Sequence, residues 1–112
     1  MDVEYFTQDK TLIVSIGGEI DHHTCQDVKD DIERAYGNGS YKHIAFDLER
    51  VQFMDSSGIG LIMGRVKSAA LLGGQVVVYN ASARVESLLN MSGISKVIRI
   101  YKNKTQALNA LT

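Results

Sequence analysis

A chain of 112 residues with 45% apolar and 22% charged side chains is long enough to enclose one core and too apolar for disorder. Twelve Lys or Arg against thirteen Asp or Glu leave a formal charge of −1, which gives no footprint for nucleic acid. No run approaches the roughly 20 apolar residues of a bilayer crossing, and the start lacks a signal-peptide core. With one cysteine, Cys25, excluding an internal disulfide and a cysteine-based zinc site, a cytoplasmic protein without membrane contact is expected.

No repeat, linker or low-complexity tract interrupts residues 1–112, so a single domain is expected. Two β-rich runs, 4–8 and 11–17, flank Asp9-Lys10 at the spacing of a tight hairpin. From residue 24 the period changes. Cys25, Val28, Ile32, Ala35 and Tyr36 recur on one helical face, with Asp27, Lys29, Asp30, Glu33 and Arg34 on the other. Thr24 is the expected N-cap, and Gly37-Asn38-Gly39 the expected left-handed end.

HIAFDL (43–48) reads as a buried strand. A helix over 56–72 follows, with Ile59, Ile62, Met63, Val66 and Ala70 as its inner stripe and Gly73-Gly74 closing it. QVVVY (75–79) is a β-branched run suited to a strand covered on both faces. Ser82 can cap a short helix holding Val85, Leu88 and Leu89, which stops near Gly93. A strand over 97–101 and a terminal helix burying Ala107, Leu108 and Leu111 complete the chain. This alternation predicts an α/β fold: a small, mixed, mostly parallel sheet with an antiparallel N-terminal β-hairpin and about four flanking helices.

The chemistry concentrates in Phe53-Met54-Asp55-Ser56-Ser57-Gly58-Ile59-Gly60, between a strand and the start of an apolar helix. Loops at strand carboxyl ends converge on a crevice in open α/β sheets, and unpaired N–H groups at a helix start favour an anion. Ser56 is therefore a candidate phosphate acceptor, and Gly58 and Gly60 would let a partner approach. The same residues are also ordinary caps and packing glycines. Gly18 to Thr24 supplies a second loop, where Glu19 and Asp21 are candidate acidic contacts on the same edge.

Other chemistries lack their parts. His22 and His23 are adjacent and His43 is the only other histidine, so no metal site is expected. Met54-Asp55-Ser56-Ser57-Gly58 lacks the first glycine of a hydrolase elbow, and no histidine follows residue 43. Neither a dinucleotide fingerprint nor a phosphate loop is complete, so no cofactor and no enzymatic activity are expected.

Four blocks, GEIDHHT (18–24), FDLERVQFMDSSGIGLIMGR (46–65), GGQVVVYNAS (73–82) and MSGISKVIRI (91–100), resemble the STAS domain of anti-sigma-factor antagonists. The likeness is strongest to the sporulation members. It implies an unphosphorylated form that binds an anti-sigma factor, itself an ATP-dependent serine kinase, and so frees a sigma factor. It further implies phosphorylation of Ser56, the first serine of the DSSG motif, reversed by a metal-dependent serine phosphatase. The implied partner-contacting set is Asp21, Asp55, Ser56, Ser57, Gly58 and Ile59. Ligand-sensing STAS domains and those docked in large assemblies are the alternative within the same resemblance.

Overall fold

The structure is a computed structural model that describes residues 1–111. Six strands form one sheet in the order β1-β2-β3-β5-β6, with β4 pairing β2 off that path. β1 (Asp2–Gln8) and β2 (Thr11–Ile20) make the expected antiparallel hairpin, with Gln8 opposite Thr11 across a two-residue turn. Asp9 takes φ 53 there, a conformation that aspartate tolerates better than most residues. Every other pairing is parallel.

β3 (His43–Asp47) and β5 (Val76–Tyr79) are the middle of the sheet and are covered on both faces. Ile44, Phe46, Val76 and Val78 face the larger core, whereas Ala45, Val77 and Tyr79 face a smaller one with Ala107. Burying each large apolar side chain contributes roughly 1.5–3 kcal/mol. Exposed ion pairs such as Arg34–Asp31 contribute only about 0–1 kcal/mol, so two-sided burial decides the architecture. α1 (Cys25–Asn38), α2 (Ser56–Leu71) and α3 (Ala83–Ser92) cover the large core, with α2 in contact with both of the others. α4 (Lys104–Asn109) covers the opposite face.

One strand escapes sequence reading. β4 (Val51–Met54) pairs in parallel with Gly18, Glu19 and Ile20, a stretch expected to be a link. β2 pairs with β3 only as far as Ser15, bulges at Gly18 with φ 88, and then offers the same edge to β4. Arg50 in the β3–β4 connection fixes this exchange. Its guanidinium pairs with Asp2 and Glu4 and donates to the Ser15 carbonyl at 3.3 Å.

Several element ends differ from expectation. Thr24 makes no side-chain cap; its hydroxyl donates to Asp21 Oδ1 at 3.0 Å, and Asp21 orders the helix entry instead. Helix α1 continues through Gly37 and Asn38 to an extended Gly39 with φ −107, so no left-handed cap forms. The last strand, β6, spans only Arg99–Tyr101, because Ile94–Lys96 forms a 3₁₀ turn after the left-handed Gly93. Leu108 and Leu111 are half-buried, and Leu111 lies beyond the end of α4.

The inner face of α2 is also rotated from the expected stripe. Gly58, Leu61, Ile62, Arg65 and Ala69 are buried, while Ile59, Met63 and Val66 flank them and Ala70 is exposed. Arg65 occupies the inner face because Glu33 of α1 meets it there, Nε to Oε1 at 2.5 Å; Glu33 also accepts from Ser68 Oγ at 2.7 Å. With Arg65 buried and Glu33 partly exposed, the pair fixes the α1–α2 orientation more surely than it adds net stability.

Candidate functional site

The carboxyl end of β2 and the start of α2 are tied by one backbone bond, Asp55 N–H to the Ile20 carbonyl at 3.1 Å. That bond holds the loop after β2 beside the motif after β4. Asp55 is the N-cap of α2, in extended conformation, and its Oδ1 accepts from the Ser57 N–H at 2.8 Å. Its carbonyl accepts from the Gly58 N–H at 3.0 Å. One residue thus satisfies two of the unpaired donors of the first turn.

Ser56, the first residue of α2, is exposed, whereas Ser57 is half-buried. The capped turn therefore aims one serine at solvent and turns its neighbour towards α1. Gly58 and Gly60 divide in the same way. A Cβ at Gly58 would collide with Met54 Cγ and stand 3.2 Å from Ile20 Cγ2, so Gly58 faces the core and lets the turn settle on the strand ends. Gly60 is exposed with nothing within 4 Å of a Cβ position, which leaves the outer surface open. Ile59 is half-buried against the large core.

Asp21 orders the neighbouring loop, after β2. Its Oδ1 accepts from the His23 and Thr24 N–H groups at 3.0 and 3.2 Å, and the Cys25 N–H donates to its carbonyl at 3.1 Å. The Thr24 hydroxyl, foremost among these donors, holds the Asp21 carboxyl below its ordinary value, so it carries a stable negative charge. Between the two loops lies a cleft of about 310 Å³, bounded by His22, Cys25, Gln26 and Lys29 on one side and Ser57, Gly60 and Leu61 on the other. Burial pushes the Cys25 thiol up, and the charges of Asp55 and then Asp21 push it further. Both carboxylates thus act on the thiol, and the two loops converge as their place on the sheet edge predicts.

Of the residues nominated from the sequence, Ser57 lines the cleft, while Asp21, Asp55, Ser56, Gly58 and Ile59 belong to the two loops and the first turn of α2 beside it; the cleft residues Cys25, Gln26, Lys29 and Leu61 are not nominated by any motif. Cys25 packs against the large core and Lys29 is exposed, as their helical faces predict, and both also border the cleft. His22 and His23 are exposed and edge-on at 5.9 Å. His43 lies at the other end of the sheet, where its Nδ1 accepts from the Gln75 N–H at 2.9 Å. No group of three metal-ligating side chains occurs among the described residues.

Residues 2–107 match the STAS domain family. The anti-sigma F factor antagonist of Paenibacillus polymyxa is 42% identical over 100 residues, covering 89% of this chain and 86% of that protein. That of Lysinibacillus sphaericus is 32% identical over 85 residues, covering 76% and 73%. Among solved structures, the anti-sigma factor antagonist SpoIIAA in its unphosphorylated form superposes with a TM-score of 0.82 at 27% identity, covering 96% of this chain and 94% of that one. The Bacillus cell fate determinant SpoIIAA in the phosphorylated form superposes with a TM-score of 0.72 at 26% identity, covering 96% and 97%. The domain match spans nearly the whole chain and the first of these relatives aligns over most of its own length, so this protein belongs to the STAS-domain family of anti-sigma-factor antagonists.

Proposed function

We propose that this protein is an anti-sigma-factor antagonist of the cytoplasm, switched by phosphorylation of Ser56. In the unmodified state, the edge formed by Asp21, Asp55, Ser56, Ser57 and Ile59 docks on an anti-sigma factor that is also a serine kinase, and a sigma factor is released. Gly58 contributes from beneath by letting the first turn of α2 close on Met54. Phosphate on Ser56 ends docking, and a metal-dependent serine phosphatase restores it.

The observation that carries this reading is the exposed Ser56 at the capped first turn of α2, beside the open surface at Gly60. Phosphorylation adds about −1.5 to −2 charges and three acceptor oxygens at that point. Inside the protein the helix start tolerates an anion, and Asp55 keeps its bond to Ser57. At a close-packed interface the same group must be desolvated without a partner, which is costly. The fold survives and the contact does not. Support comes from the relatives' names and from solved unphosphorylated and phosphorylated forms of one related protein.

Incubation with the cognate anti-sigma kinase and ATP, followed by peptide mass spectrometry, tests the assignment. One phosphate on Ser56 is expected. Phosphate on Ser57 alone, or none, overturns it.

A further inference from the structure

The charges of this chain are divided. Residues 1–55 hold five Lys or Arg against twelve Asp or Glu, a balance of −7; residues 56–112 hold seven against one, a balance of +6. No Asp or Glu lies between Asp55 and Glu86, and none follows Glu86. The sheet order turns this division into a surface. β1, β2 and β3 with α1 make an acidic flank, and β5 and β6 with α3 and α4 make a basic one.

On the basic flank, a groove of about 500 Å³ opens where β5 and β6 begin, floored by Val66, Ala70, Val76 and Ile98 and edged by Val97 and Arg99. Arg99 lines it, Lys67 and Lys96 are next in sequence to the lining residues Val66 and Val97, all three are exposed, and no ion pair is found for them among the described residues. Leu71 and Val97 are 87% and 55% exposed nearby. The groove mixes apolar side chains with polar backbone and edge groups, and the exposed Leu71 and Val97 add apolar surface beside it, a combination that suits an amphipathic partner. Ser56 opens α2, and Val66 and Ala70 of the same helix line the groove, so the two surfaces are about 15–21 Å apart along it.

We infer that this groove is a second docking surface, for an acidic amphipathic helix of a partner protein. Apolar residues at one-turn spacing would enter the groove, and flanking carboxylates would face Lys67, Lys96 and Arg99. A second copy of the chain fits less well. Its acidic flank would make a head-to-tail contact, which closes only for particular rotations and otherwise grows without limit. A flat anionic lipid surface would leave the concave floor unfilled.

The probe is a synthetic helical peptide with Leu at i, i+3, i+4 and i+7 and Glu elsewhere, titrated into isotope-labelled full chain and followed by amide shifts. Saturable shifts at Ala70, Val97, Ile98 and Arg99, weakened about tenfold or more in the Lys96→Glu/Arg99→Glu double variant, are expected. Both substitutions are at exposed positions, and an unchanged thermal transition confirms the fold. Ser56→Asp should leave the peptide affinity unchanged, which separates this surface from the phosphorylation edge. Absent shifts, equal binding of a peptide with Lys in place of Glu, self-association, or binding to phosphatidylglycerol vesicles in place of the peptide overturns the inference.

Discussion

Asp55 serves the site in two ways that one substitution can separate. Its oxygen caps Ser57, and its charge raises the pKa of the Cys25 thiol across the cleft. Asn retains a capping oxygen and removes the charge, and the two residues are near-equal N-caps. Asp55→Asn should therefore keep stability within about 0.5 kcal/mol while speeding Cys25 alkylation by iodoacetamide at pH 8, because more thiolate is present. An unchanged rate would place Asp55 too far from Cys25 for the convergence described. This cap was legible in the sequence because Asp-Ser-Ser-Gly precedes an apolar helix. The cap of α1 was not, because Asp21 and Thr24 are both good capping residues three positions apart. Only the geometry shows that Asp21 accepts the N–H groups while Thr24 donates its hydroxyl to Asp21.

At the scale of the element, α2 shows where periodicity succeeds and where it misleads. Its extent follows from the run of apolar residues between Asp55 and Gly73, but its inner face includes Gly58 and Arg65, which no hydrophobic stripe would nominate. Each is there because of a neighbour distant in sequence, Met54 and Ile20 for the glycine and Glu33 for the arginine. β4 was missed for a related reason. Four residues of mixed character become a strand only because β2 bulges at Gly18 and presents an edge. The two glycines of the motif give a paired test. Gly58→Ala should lower stability by about 1–3 kcal/mol through overpacking against Met54, measured by denaturant unfolding. Gly60→Ala meets open space and should hold or gain up to about 1 kcal/mol from helix propensity. Equal effects at both positions would contradict the inward and outward assignments.

For the whole molecule, alternating strands and helices made the parallel sheet and its hairpin edge readable from residue patterns. The β-branched run at 75–79 likewise foretold a strand buried on both faces. The charge division is present in the residue order, but the net charge of −1 conceals it. It becomes two flanks only when β3 and β5 are seen as neighbours, which places the two parts of the chain side by side. Helix α2 lies between α1 and α3 and carries the modifiable serine on its first turn. It is therefore braced on both sides, and a charge added at its start has little structure to disturb.

That rigidity is the central claim, and one comparison addresses it. Protein phosphorylated at Ser56 and unmodified protein are each titrated into the cognate anti-sigma kinase by calorimetry, with thermal unfolding of both forms recorded beside it. Affinity should fall by about a hundredfold or more, roughly 2.7 kcal/mol, while the two melting temperatures stay within about 2 °C. Equal affinities for the two forms, or loss of binding accompanied by loss of the folded transition, would contradict it.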